Sequence, residues 1–334
     1  MVKRALWFTG FLALGAAVIY IGWLRLLQVP LTVESLYTVP AGSSASQLCL
    51  SWQQQQKVSA ADCLLLRLYL KVVPEAARVQ QGVYRITDER TLLQILALFK
   101  SGKEAQFSLT FIEGETVQQA LLRLANAEYL QQDVSAAEQI TAMLEWPTQW
   151  GDKPSNSEAL LYPDTYYYTA NSSASQIIRR SQQALLQQLA NAWQQRLTDL
   201  PVETPYQLLT LASIIEKESR YAPERPLVAS VFVNRLRKNM RLQTDPTVIY
   251  GLTNFNGNIT RADLNNPHPY NTYRHHGLPP GPIAMVSQQA LLAAAQPAET
   301  DLYYFVSKGD GTHQFSSTLE QHNAAVRKYI FGEQ

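Results

Sequence analysis

The residue with the clearest chemical potential in this chain lies in Tyr206–Arg220, YQLLTLASIIEKESR. At about 100° per residue in a helix, Leu208, Leu211, Ile214 and Ile215 form one apolar stripe. Glu218 follows Ile214 by four residues and Leu211 by seven, so it falls near the middle of that stripe. Glu216 and Lys217 are expected to point away, toward the polar side. A carboxyl on the buried face of a helix is costly unless it is hydrogen-bonded or protonated. Desolvation raises its pKa and keeps a proton available near neutral pH, which is what a general acid needs. The competing reading is a structural glutamate tied to an arginine, with Arg225, Arg235 and Arg237 as candidates.

Downstream, Met240–Gly251 (MRLQTDPTVIYG) reads as a polar turn leading into an apolar segment. Asn266–Tyr273 (NPHPYNTY) and Gly277–Ile283 (GLPPGPI) are dense in Pro, Gly, Asn and Tyr, the composition of ordered loops that carry binding residues. Amide and phenol groups suit hydroxyl- and acetamido-bearing sugars better than phosphates. A Gly-rich phosphate loop, a metal-ligand helix pair and a G-x-S-x-G elbow are all missing from the sequence. The five histidines, His268, His275, His276, His313 and His322, lack ligand spacing, so neither a metal nor a cofactor is expected. His322-Asn323 could support a site from a C-terminal helix, although a structural role is the simpler reading.

The elements that must position these residues are bounded by composition. The chain has 334 residues, 46% of them hydrophobic and 16% charged, with 28 Lys+Arg against 27 Asp+Glu. That length allows two domains or one large one, and the apolar content argues against disorder. A net charge of +1 gives no concentrated basic face for nucleic acid. Two cysteines, Cys49 and Cys63, exclude a disulfide scaffold and a four-cysteine zinc site. Ala5–Leu24 is a run of 20 uncharged residues between Lys3-Arg4 and Arg25. As a helix it would extend about 30 Å, enough to cross a bilayer core, with the basic N-terminus cytoplasmic and the rest exported. A cleaved signal peptide is the rival, but no A-x-A-like site follows Leu24. In an oxidising compartment Cys49 and Cys63 could form a single bridge, and buried free thiols fit their leucine-rich surroundings equally well.

After a short linker, Tyr37–Ser44 reads as a strand, a glycine turn and a Ser cap opening a helix around Leu48 and Leu50. A second helix is expected over Ala60–Lys71, a strand over Gly82–Ile86 and a helix over Thr91–Lys100. Phe107–Ile112, Glu113–Thr116 and Val117–Ala125 then repeat the strand–turn–helix pattern weakly. Leu121–Leu200 looks mainly helical, broken by Trp146-Pro147 and the Lys153–Ser157 loop, with a turn into a strand at Tyr166-Tyr167-Tyr168.

Together these segments resemble the MltG (YceG-like) family of endolytic murein transglycosylases. Ala212–Glu218 (ASIIEKE) is similar to the family's catalytic-helix motif. Arg241–Gly251, Tyr270–Tyr273 and Gly277–Ile283 are similar to its other signature blocks, in the same order. Ala284–Ser287 departs from the family's usual Pro-Gly turn, and Ser219 from its commoner Thr. The resemblance implies an α+β fold class: a single N-terminal transmembrane helix, a small LysM-like αβ subdomain and a larger mixed α+β catalytic domain. The corresponding boundaries are a cytoplasmic N-terminus at 1–4, a transmembrane helix at 5–24, linker and LysM-like subdomain at 25–103, and the catalytic domain at 104–330. It further implies Glu218 as catalytic acid/base, with Gln243, Asp245, Tyr250, Asn271 and Tyr273 orienting sugar or supporting charge. The implied partners are peptidoglycan glycan strands, the membrane through the N-terminal helix, and membrane-bound glycan polymerases, with no nucleic acid. The implied location is the inner membrane, single-pass, with the catalytic part periplasmic. A hydrolytic muramidase using Asp245 or Glu216 as second carboxylate, and a non-catalytic membrane-tethered glycan binder, are the alternative readings.

Overall fold

Hydroxyl side chains cap the start of most of the helices. The computed structural model describes residues 2–87 and 90–332, with the side chains of residues 2–12 and of Leu27 outside the description. The chain divides into one unit of Met1–Phe107 with Tyr168–Asn171, and a second of Ser108–Tyr167 with Ser172–Gln334.

The first unit holds α1 (Val2–Gln28), β1 (Pro30–Leu31), β2 (Leu36–Val39), α2 (Ala45–Gln54), α3 (Ala60–Val72), β3 (Gly82–Arg85), β4 (Arg90–Thr91) and α4 (Leu92–Ser101). Ser44, Ser59 and Thr91 cap α2, α3 and α4 with reciprocal capping boxes, satisfying amides that a helix start leaves bare. Gly102, at φ +66°, stops α4 in the left-handed conformation that a Cβ disfavours. β2 and β3 pair antiparallel from Leu36 opposite Arg85 to Val39 opposite Gly82. Trp52, Leu66, Tyr84, Ile95 and Phe99 are fully buried in one core. Cys49 on α2 and Cys63 on α3 are joined by a disulfide (S–S 2.10 Å), which decides between the two thiol readings. The expected anchor over Ala5–Leu24 lies within α1 and falls in large part on side chains outside the described residues. Among the described residues no helix is long and apolar enough to cross a membrane. The C-terminal end of α1 packs on α3, with Trp23 against Tyr69 (5.2 Å between rings) and Arg25 3.3 Å from Asp62.

The elements that follow are β5 (Gln106–Thr110), α5 (Val117–Ala125), α6 (Ala137–Met143), β6 (Thr165–Thr169, paired with β5), α7 (Ala174–Gln195) and α8 (Pro205–Glu218). They continue with α9 (Arg225–Arg237), α10 (Asp245–Gly251), α11 (Arg261–Asn265), α12 (Gln288–Ala295), the antiparallel hairpin β7 (Tyr304–Ser307) and β8 (His313–Ser316), and α13 (Leu319–Tyr329). Mixed α and β structure is present, with many helices and only small sheets. Residues 121–200 are less helical than expected, because long irregular stretches separate α5, α6, β6 and α7.

The second unit is organised around α8, which packs against α12, α9 and α7. Every residue from Leu208 to Glu216 is buried, so α8 is a central helix enclosed on all sides rather than an amphipathic one. This corrects the expectation for Glu216. It does not face solvent; it is buried, because packing neighbours cover the side of the helix that the sequence pattern marks as polar.

Candidate active site

Helix α8 delivers Glu218 to a defined place. Thr204 caps its start by accepting from the Gln207 N–H at 3.2 Å, and Pro205 occupies the first turn, where its missing N–H costs nothing. Ser219 turns extended (φ −124°, ψ 114°), so Glu218 is the last helical residue. It therefore sits at the negative end of the helix dipole, which opposes ionisation. The side chain is half-buried, and desolvation pushes its pKa up to about 7, with the nearby Asp245 charge adding to the effect. The Thr244 hydroxyl donates to its carboxylate and opposes that rise, as do the more distant His313 and Arg235.

Glu218 opens onto a cavity of about 440 Å³ whose wall also includes Arg235, Gln243, Asp245, Tyr273, Tyr304 and the His322-Asn323 pair. The loop bearing Gln243 and Thr244 is held from behind. The Arg235 guanidinium donates to the carbonyls of Leu242 (2.7 Å), Arg241 (3.3 Å) and Tyr303 (2.7 Å), tying loop and hairpin to α9. Thr272 Oγ1 accepts from the Thr244 N–H at 3.1 Å and lies 2.8 Å from Thr247 Oγ1. Gln243 adopts φ +50°, an unfavourable conformation for a residue with a side chain, and its N–H donates to Thr272 O at 3.2 Å. The Tyr273 hydroxyl donates to Asp245 Oδ1 at 2.7 Å, fixing a second carboxylate in the same cavity.

Of the six residues expected at the site, Glu218, Gln243, Asp245 and Tyr273 line the cavity; Tyr250 and Asn271 do not. Asn271 is buried behind it. Its Nδ2 donates to Asp263 O, Leu264 O and Asn266 O at 2.7–3.2 Å, and its Oδ1 accepts from the Tyr273 N–H at 2.9 Å. It clamps the loop that presents Tyr273. Tyr250 packs on Tyr270 (4.8 Å between rings) beside Glu158.

The structural role considered for Glu218 belongs to Glu216 instead. Arg225 Nη2 donates to Glu216 Oε1 at 2.6 Å, and the Ser287 amide and hydroxyl donate to Oε2 at 2.8 and 2.5 Å. Arg237 pairs with Asp199 at 2.5 Å, and among the described residues Glu218 makes no ion pair. Nor is Glu218 alone in being withdrawn from water. Glu158 is 2% exposed, accepts from the Val117 and Ala159 amides at 2.9 and 3.3 Å, and is raised by burial to about 7. It is not among the residues that line the Glu218 cavity.

The residue reading overlooked Thr244 and Tyr304 and weighed Arg235 only as an ion-pair partner. Thr244 carried a usable signal, since it precedes Asp245-Pro246 at the start of α10, where a hydroxyl residue is favoured. His322 stacks on Tyr304 (5.2 Å between rings), and burial lowers its pKa and so keeps the ring neutral. Among the described residues, no group of three or more His, Cys, Asp or Glu side chains is arranged to hold a metal ion.

With one desolvated acid, a hydroxyl donor on it and aromatic and amide groups around it, the cavity can bind a sugar and exchange a proton with it. The YceG-like family matches residues 37–328. The chain is 30% identical over 305 residues to the endolytic murein transglycosylase of Bacillus subtilis, covering 87% of this chain and 84% of that protein. It is 28% identical over 227 residues to the endolytic murein transglycosylase of Streptococcus pneumoniae D39, covering 66% of this chain and 40% of that one. A crystal structure of a YceG-like protein from Listeria monocytogenes matches at 31% identity with a TM-score of 0.54, over 87% of this chain and 98% of that one. A match over this span, together with a relative of this identity and coverage, shows that the chain belongs to the YceG-like family.

Proposed function

We propose that this chain is an endolytic peptidoglycan lytic transglycosylase that cleaves the β-1,4 bond between N-acetylmuramic acid and N-acetylglucosamine within glycan strands. The observation that carries this reading is a carboxyl without an ion-pair partner among the described residues, raised to about 7, opening onto a cavity lined by tyrosine, amide and arginine side chains. Protonated Glu218 gives its proton to the glycosidic oxygen as the bond to the muramic acid anomeric carbon breaks. The leaving strand departs with a new hydroxyl. The Glu218 carboxylate then takes the proton of the muramic acid C6 hydroxyl as that oxygen bonds to the anomeric carbon, closing a 1,6-anhydro ring. No water is consumed, and Glu218 ends as it began, so a second catalytic carboxylate is not needed. Asp245, held by Tyr273, supplies negative charge near the developing oxocarbenium ion, while Gln243 and Tyr273 orient the sugars.

The membrane-anchored part of the reading rests on the Ala5–Leu24 run, and export is supported by the Cys49–Cys63 disulfide, which persists in oxidising compartments. On this reading the chain is a single-pass protein of the inner membrane with its catalytic part in the periplasm. Residues 25–103 are a linker and a LysM-like peptidoglycan-binding subdomain, and cutting nascent strands beside glycan polymerases terminates their elongation.

The muramidase alternative keeps one support, the presence of Asp245 in the Glu218 cavity; Glu216 is committed to Arg225. Mass spectrometry of digested glycan separates the two, because anhydro ends are lighter than reducing ends by one water. Anhydro ends from the wild type, and none from Glu218→Gln, are expected. Reducing ends would establish the hydrolase, and binding without turnover would establish a non-catalytic binder.

A further inference from the structure

A second and larger cavity, of about 680 Å³, opens beside the same last turn of α8. Lys217 lines it and Glu218 lines the catalytic cavity, so two hollows meet one helical turn from different directions. Charged side chains of both signs line it, as they do the first. Lys217 and Arg220 are exposed cations on the α8 side, and the buried Glu216–Arg225 pair lies behind them. Opposite stand the exposed carboxylates of Glu113, in the loop after β5, and Asp164, at the start of β6. Ile112 adds exposed apolar surface to the lining.

Among the described residues none of Glu113, Asp164 and Arg220 has an ion-pair partner. Lys217 Nζ donates to the Gly114 carbonyl at 3.0 Å, fixing the acidic loop against the helix. Unpaired side chains of both signs in one cavity suit a ligand that carries both carboxylate and ammonium groups, because each charge then meets a partner.

We propose that this cavity binds the peptide stem carried on the muramic acid of the strand, Arg220 and Lys217 receiving a carboxylate of the stem and Glu113 and Asp164 a side-chain ammonium. The inference rests on the glycan-cleaving reading above and adds a substrate class to it: peptide-bearing strands. The sharing of one helical turn by the two cavities is what lets a peptide stem and a scissile bond be held together.

The test uses the full chain on peptide-bearing strands and on the same strands stripped of peptides by an amidase. Wild type is expected to show a kcat/KM about tenfold higher on the peptide-bearing strands, carried by KM. Arg220→Ala and Asp164→Asn should each lose most of that factor while cutting stripped strands at the wild-type rate. Equal wild-type rates on both substrates, or variants that slow both equally, overturn the inference and leave the glycan-cleaving reading standing. Calorimetric binding of a soluble disaccharide-peptide to Glu218→Gln reads the cavity without turnover. Binding that survives in the Glu218→Gln, Arg220→Ala double variant also overturns the inference. Binding lost there while the wild type yields no anhydro ends would instead sink the glycan-cleaving reading.

Discussion

Glu218 titrates where a general acid should, and its environment fixes the sign of two measurements. Folding raises its pKa from 4.5 to about 7, so the native state holds the proton more tightly than the unfolded chain does. The stability this gives is complete below about pH 4.5 and is lost as pH rises through about 7. Glu218→Gln removes a charge that is costly to bury. At pH 8 the variant is expected to unfold at higher denaturant than wild type, by on the order of 1–2 kcal/mol, a value discounted for partial solvent screening. At pH 4 the two should coincide, and a less stable variant at pH 8 would contradict the burial argument. Activity should have an alkaline limb near pH 7, because the acid must be protonated for the first step. Thr244→Val removes the hydroxyl that favours the carboxylate, so that limb should move to higher pH by about half a unit to one unit. An unmoved limb would mean that another group sets it.

At the scale of elements, α8 separates two glutamates that differ by two positions and by everything else. Glu216 is buried in a network with Arg225 and Ser287; Glu218 opens onto a cavity. Glu216→Gln should lower stability by about 3 kcal/mol, because it leaves the Arg225 charge buried without its partner. Turnover per folded molecule should be retained within a few fold. A variant that melts normally yet has no activity would place Glu216 in the chemistry after all. The loop between α9 and α10 shows why one helix is not enough. Arg235 and Thr272 hold it, and only then does Thr244 reach Glu218. The spacing of apolar residues located the helix and singled out Glu218 on it, since local periodicity is a property of contiguous chain. It could not tell Glu216 from a surface residue, because the neighbours that cover that side, α12 and Ser287 before it, come some 70 residues later.

In the molecule as a whole, the first unit depends on a covalent tie that the second lacks. The Cys49–Cys63 bridge closes a loop of 14 residues between two capped helices. Replacing both cysteines with alanine should cost the first unit about 3 kcal/mol, with the second unit's melting unchanged. Hydrogen exchange resolved along the sequence reads both in one measurement, and equal loss in the two units would show that they unfold together. By itself the sequence determined what depends on neighbours along the chain: the Ser cap that opens α2, the apolar run before Lys217, the balanced charge and the family motifs. The tertiary structure alone decided which carboxylates are buried, which pair with arginine and which face a cavity. It made Glu216 structural and Asn271 a clamp, moved Tyr250 off the cavity wall, and brought Thr244 and Tyr304 to the site. The physical reason is that desolvation and hydrogen bonding depend on what lies within a few ångströms, and in a folded chain that is set by residues far away in sequence.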